Sequence, residues 1–247
     1  MTNFLTTEQL ADLMKISEIC QAMDADLVVI GATAILIHLG ELGRLTRDID
    51  LTVALDLDDF QSLSEALQSA GWRRMPKQEH RWVTPAQTTI DLLPAGPSLR
   101  AAGKIIWPES EFEMSLAGFD EVFRASAPVQ LGQTASIRVA SLPVVTLLKI
   151  VVYMEAPYRR AKDLQDIRLL LDRYEHSSDR LFSDEVFDAE LSDFSLANAF
   201  LLGRDIGSLV SSHDLPLVER FIDGVLMHQD AVGLSGQLRT FARGLHS

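Results

Sequence analysis

Residues 44–55 read RLTRDIDLTVAL. Ile49, Leu51 and Val53 alternate with Asp48, Asp50 and Thr52, the two-residue period of a strand with one buried face. The other face therefore begins with two carboxylates. Holding two such charges together in a half-buried place is unfavourable unless a positive charge sits between them. The stretch TTIDLL at 88–93 repeats the pattern, with Asp91 sharing a face with Thr89 while Ile90 and Leu92 turn the other way. If the two strands are neighbours, Asp48, Asp50 and Asp91 converge at the edge of one sheet. Divalent cations would explain such a group. Hard Mg²⁺ (or Mn²⁺) takes oxygen ligands and commonly joins one or two carboxylates to substrate phosphates. Two such ions about 3.5–4 Å apart can serve an attacking and a leaving oxygen. The plain alternative makes Asp48 a strand-entry residue, Asp50 a solvated edge residue and Asp91 the lead-in to a turn.

The flanking segments bear on that choice. DLVVI at 26–30 is an apolar run of strand length, Gly31 marks a turn, and TAILIHLGELG reads as a helix closed by Gly40 or Gly43. A glycine there admits close approach to the backbone, and the helix start offers free N–H groups and a positive dipole end to phosphate. A glycine between strand and helix is also an ordinary turn. Residues 7–24 form a helix opened by the cap TTEQ, and LDDFQSLSEALQSAG at 57–71 is another. With strands at 80–84 and 88–93, the order is α-β-α-β-α-β-β, an α/β core with short connections. Residues 97–135, rich in Gly, Ser, Ala and Pro, read as an irregular excursion with one short helix near 109–117. A strand at 136–140 returns to the sheet. Beyond Ser141 the pattern is helical: SLPVVTLLKIVVYMEA, then 158–175, then the remainder from 183 to 247. The organisation expected is an α/β unit over 1–140 and an all-helical unit over 141–247.

With 247 residues, 47% of them hydrophobic, and a mean hydropathy of +0.11, the chain has the composition of a folded protein with a real core. Its one cysteine, Cys20, excludes an internal disulfide and suits a reducing cytoplasm. The N-terminus lacks the pattern of a secretory signal. The longest uncharged apolar stretch, 27–40, falls short of the roughly 20 residues of a membrane span. A soluble, cytoplasmic protein with no membrane partner is expected. The net charge of −13 argues against a general nucleic-acid coat. The six histidines are scattered, which disfavours a zinc site, and His80 reads as a surface residue. The run WRRMPKQEHRW at 72–82 reads as a solvated hairpin with two core tryptophans; the competing reading is a grip on phosphates and bases. The acidic tract at 183–193, without Lys or Arg, reads as a solvated helix face.

Taken together, GATA, then GRLTRDIDL, then TIDLL resemble the nucleotidyltransferase superfamily, whose pattern is a pair of small residues, a helix, D-x-D and a third carboxylate on a later strand. The form around Arg44, Thr46, Asp48, Ile49, Asp50 and Leu51 is most similar to the AbiEii-type toxin nucleotidyltransferases. VASLPVVTLLKIVVYMEAPYRRAKDLQDIRLLL resembles that family's lysine-bearing helix, Arg-rich turn and K-D-x-x-D helix, so the likeness spans about 25–175. The resemblance implies a mixed-sheet nucleotidyltransferase core with a helical domain closing a nucleotide cleft. It implies Mg²⁺- or Mn²⁺-dependent transfer of NMP from an NTP to an acceptor hydroxyl. RNA, tRNA included, would be the acceptor, and an antitoxin protein a partner.

In that scheme Asp48 and Asp50 hold metal and triphosphate, and Asp91 holds a second metal and helps activate the acceptor oxygen. Gly31, Ala32 and Thr33 cradle phosphates. Ala32 departs from the family's usual Gly or Ser; it keeps its backbone N–H but has no hydroxyl, which implies phosphate binding that is weaker or shared with Thr33. Arg44 and Thr46 belong to the nucleotide-binding motif, and Arg44 with Lys149 would neutralise the pyrophosphate leaving group.

Lys149 is the only charged residue between Ser141 and Met154. It either snorkels to solvent or meets the triphosphate, and Lys149→Met is expected to leave the free protein's stability unchanged or raise it. Lys162 and Asp163 would bind nucleotide and orient the acceptor, or else belong with Asp166, Arg159 and Arg168 to a surface ion-pair helix. Two rival functions are an antibiotic-modifying enzyme with a small acceptor and a non-catalytic nucleotide- or partner-binding module.

Overall fold

The computed structural model describes residues 5–44, 46, 48–131, 135–175, 178–227 and 233–247. The chain forms two compact units, Met1–Ser141 and Leu142–Ser247.

The first unit opens with α1 (Thr7–Ala22), started by a reciprocal cap in which Thr6 Oγ1 accepts from Gln9 N–H and Thr6 N–H donates to the Gln9 side chain. It buries Leu13, Ile16 and Cys20, and burial pushes the Cys20 thiol up to about 12. There follow β1 (Leu27–Val29), α2 (Gly31–Leu39), β2 (Asp48–Val53), α3 (Leu57–Ser69), β3 (Arg73–Met75), β4 (Gln78–Val83) and β5 (Thr89–Pro94). Then come α4 (Pro97–Ala102), β6 (Lys104–Ile106), β7 (Glu113–Ser115), α5 (Phe119–Arg124), β8 (Ser126–Leu131) and β9 (Ala135–Ala140). Seven strands form one mixed sheet in the order β3-β4-β5-β2-β1-β9-β8, with β2–β5 and β1–β9 parallel and the other pairs antiparallel. Ile49, Leu51, Ile90, Leu92 and Trp82 are fully buried on or beside the two central strands, as their alternation requires.

Two expectations for this unit are corrected. Residues 97–131 are not irregular: they hold α4, the β6–β7 hairpin, α5 and β8. No helix forms near 109–117. The buried Glu79 carboxylate instead accepts from Glu109 N–H, Ser110 N–H and Ser110 Oγ–H, holding that segment in a turn before β7. Trp72, just before β3, and Trp82, in β4, are core residues, as the preferred reading of 72–82 expects, and neither is open to stack on a base.

The second unit is helical: α6 (Leu142–Glu155), α7 (Ala161–Arg173), α8 (Asp184–Phe187), α9 (Ala197–Leu209), α10 (Leu215–Met227) and α11 (Ser235–Leu245). α9 and α11 pack backbone against backbone. A Cβ on Gly203 would lie 2.1 Å from Phe241 O, and one on Gly244 2.1 Å from Phe200 O. The acidic tract 183–193 gives one helical turn, not a helix face. Its Glu185 is drawn into ion pairs with Arg180 and Arg204, and Asp193 accepts from Ser195 N–H to start the next turn. Among the described residues no helix is long and apolar enough to cross a membrane.

Candidate active site

The parallel register of β2 and β5 sets Asp50 directly beside Asp91 and Asp48 beside Thr89. The antiparallel register of β4 and β5 sets Arg81 beside Asp91. Arg81, Asp91 and Asp50 thus form a row across three neighbouring strands, on the half-exposed face opposite the buried Ile49, Leu51, Ile90 and Leu92. The row lies on interior strands, not at the sheet edge expected from the sequence.

The positive charge that the paired carboxylates demand comes from within the chain. Arg81 Nε donates to Asp91 Oδ1 at 2.7 Å and its Nη2 donates to Asp91 Oδ2 at 2.6 Å. The same Nη2 reaches Asp48 Oδ2 at 3.4 Å. The hydrogen bond to Asp91 raises the guanidinium's pKa above its ordinary value against the opposing effect of burial, and the charges of Asp91, Asp48 and Asp50 add to the rise. The sequence pattern by itself places Arg81 in a solvated hairpin. The signal that finds it is the tight connection from Thr84 to Thr88, closed by Thr84 N–H to Thr88 O at 3.0 Å, which places Asp91 opposite Arg81. His80, beside it, is half-buried with its ring 5.8 Å from that of Trp107, not a surface residue; burial lowers its pKa.

At the other end of the row, Ile30 N–H donates to Asp50 O at 2.9 Å, which brings the β1–α2 turn against β2. Gly31 has φ +64°, and a Cβ there would lie 2.2 Å from Asp50 Oδ2. The group that approaches this glycine closely is thus Asp50's own carboxylate, which accepts from Ala32 N–H at 3.3 Å. Thr33 is buried, and its hydroxyl donates to the Asp48 carbonyl at 3.3 Å. Thr46 Oγ1 donates to the same carbonyl at 3.3 Å, and the two threonines pin the start of β2. Arg44 is half-buried in the approach to β2, while Leu45 and Arg47 of the motif lie outside the described residues.

Asp48 and Asp50 offer hard oxygens on one face, and their donor chemistry fits a divalent cation. Both oxygens of Asp91, by contrast, are engaged by Arg81. Among the described residues no three His, Cys, Asp or Glu side chains are grouped to hold a metal as they stand.

In the second unit, Lys149 neither stands alone nor snorkels. Its ammonium is buried on α6 and pairs with two carboxylates of α7, Asp163 at 3.1 Å and Asp166 at 2.7 Å. Asp163 also faces Arg160 at 3.9 Å, and Lys162 is exposed. The K-D-x-x-D spacing therefore places Asp163 and Asp166 one helical turn apart, where both reach Lys149.

No curated protein matches the sequence. Several solved structures are similar in fold. The antibiotic-resistance factor ANT(2")-Ia, in complex with adenylyl-2"-tobramycin, shares 19% identity at a TM-score of 0.44, covering 78% of this chain and 97% of that one. The lincosamide antibiotic adenylyltransferase LnuA, lincomycin-bound, shares 14% at 0.41, covering 66% and 97%. An antigenic nucleotidyltransferase-like protein from Paracoccidioides brasiliensis shares 14% at 0.43, covering 66% and 76%. The family model described as nucleotidyl transferase AbiEii toxin, type IV TA system, matches residues 14–245, nearly the whole chain. The chain therefore belongs to the AbiEii nucleotidyltransferase toxin family of type IV toxin–antitoxin systems, and it is a nucleotidyltransferase.

Proposed function

We propose that the protein transfers NMP from an NTP to a hydroxyl of an RNA acceptor, with tRNA as one such RNA, using Mg²⁺ or Mn²⁺ held by Asp48 and Asp50. The observation that carries this reading is the in-register row of Asp50 and Asp91 beside the N-terminus of α2. That helix end already holds a carboxylate, since Ala32 N–H is given to Asp50. A polyanionic triphosphate brought there would meet a negative charge. A cation between Asp50 and the phosphates resolves the conflict, which supports metal dependence.

In the reaction the acceptor hydroxyl loses its proton to solvent and its oxygen bonds to the α-phosphorus, while the bond from that phosphorus to the oxygen bridging the β-phosphate breaks and pyrophosphate leaves. The bound divalent ion would supply charge stabilisation at the phosphates. Asp48 and Asp50 would fix its place, with the Asp48 backbone held by Thr33 and Thr46. Asp91, oriented by Arg81, would position the acceptor hydroxyl. Gly31 and Ala32 line the phosphate side, and Arg44 would meet the leaving pyrophosphate. Lys149 stays within the helical unit, one ammonium held against the two carboxylates of Asp163 and Asp166. RNA is preferred as acceptor, and an antitoxin partner and a cytoplasmic setting are proposed, because the family is one of toxin–antitoxin systems.

The test is incubation of the purified protein with each of the four radiolabelled NTPs and total RNA. Label on RNA with Mg²⁺ and none after chelation is expected. Label on an aminoglycoside or lincosamide, with none on RNA, would replace this reading with the small-acceptor one.

A further inference from the structure

Arg81 does more than offset a neighbour's charge. Its planar fork closes on both oxygens of Asp91, at 2.7 and 2.6 Å, and the same Nη2 stands 3.4 Å from Asp48. The guanidinium thus lies between the third carboxylate and the first, where an ion shared by those two residues would have to lie. A guanidinium keeps its charge at any working pH, is more weakly hydrated than an ammonium, and matches a carboxylate bidentately. The Arg81 and Asp91 side chains are only 29% and 17% exposed, so water competes weakly for the pair. A divalent ion taking an Asp91 oxygen would break that fork and leave a partly buried guanidinium without its main partner.

We propose that Arg81 takes the place of a second divalent ion, so that the site binds a single metal ion through Asp48 and Asp50 while Arg81 acts as the positioning residue for Asp91. The inference rests on the metal reading above and narrows it. The charges are consistent with one ion: three carboxylates, one guanidinium and one divalent cation sum to zero before nucleotide arrives.

The experiment counts Mn²⁺ bound to the full-length protein in complex with a non-hydrolysable NTP analogue and records its electron paramagnetic resonance spectrum. Wild type should bind one ion per chain and show an uncoupled signal. Arg81→Met should bind two, with the exchange coupling of ions about 3.5–4 Å apart, and Arg81→Met with Asp91→Asn should return to one. Two coupled ions in wild type would overturn the inference while leaving the metal reading standing. So would a single ion in an Arg81→Met protein whose circular dichroism matches wild type. No bound Mn²⁺ in wild type would overturn the metal reading and the inference together. Should Arg81→Met fail to fold, the wild-type count decides the matter.

Discussion

Gly31 bears on the site through what it lacks. Its φ of +64° and the 2.2 Å separation between a notional Cβ and Asp50 Oδ2 mean that any side chain would both strain the backbone and push the carboxylate away. Gly31→Ala should cost about 1–2 kcal/mol from the left-handed backbone alone. It should also weaken Mn²⁺ binding about tenfold or more, one tenfold step being about 1.4 kcal/mol. A denaturant melt and a Mn²⁺ titration check both, and unchanged values would show that Asp50 is not held by this turn. At this scale much of the row was legible. Alternation within RLTRDIDLTVAL puts Asp48 and Asp50 on one face, and alternation within TTIDLL sets Asp91 opposite Ile90 and Leu92; only the pairing of the two strands brings the three together. Arg81 was not read, because it lies in a run of four basic residues among which only strand register selects one.

Among the elements, the pairing of α6 with α7 is where the structure departs furthest from the sequence reading. A lone lysine on an apolar helix suggested snorkelling or a phosphate, since its partners lie 14 and 17 positions further along, on another helix. With Asp163 and Asp166 in place, Lys149→Met reverses its expected effect. It should destabilise by about 3–5 kcal/mol, the cost of leaving buried carboxylates uncompensated. Adding Asp166→Asn should recover part of the loss. A melt in which Lys149→Met alone equals wild type would mean that the pair contributes nothing. The 97–131 region was opaque for a similar reason. Its short strands and turns draw on non-local partners such as Glu79, and no local periodicity announces them. Long periodic segments such as α1, α3 and α6 were read directly, because amphipathic or apolar runs and caps lie within one window of sequence.

For the whole molecule, the acidity that argues against a nucleic-acid coat is a property of the surface and leaves the site to be judged on its own charges. There the decisive count is local: Asp48, Asp50 and Asp91 against Arg81 and whatever cation the first two hold. The family match over residues 14–245 extends the resemblance read over about 25–175 into the helical unit, whose remaining helices carry no motif that sequence alone could have linked to it. Asp50→Asn separates a carboxylate row that transfers a nucleotide from one that does not. The substitution keeps shape and an oxygen for Ala32 N–H while removing the charge that would hold the metal. Transfer of label from NTP should fall about a hundredfold or more. The melting temperature should stay level or rise, because crowded carboxylates repel one another. A folded Asp50→Asn protein that transfers label at the wild-type rate would show that this carboxylate row does not carry the transfer.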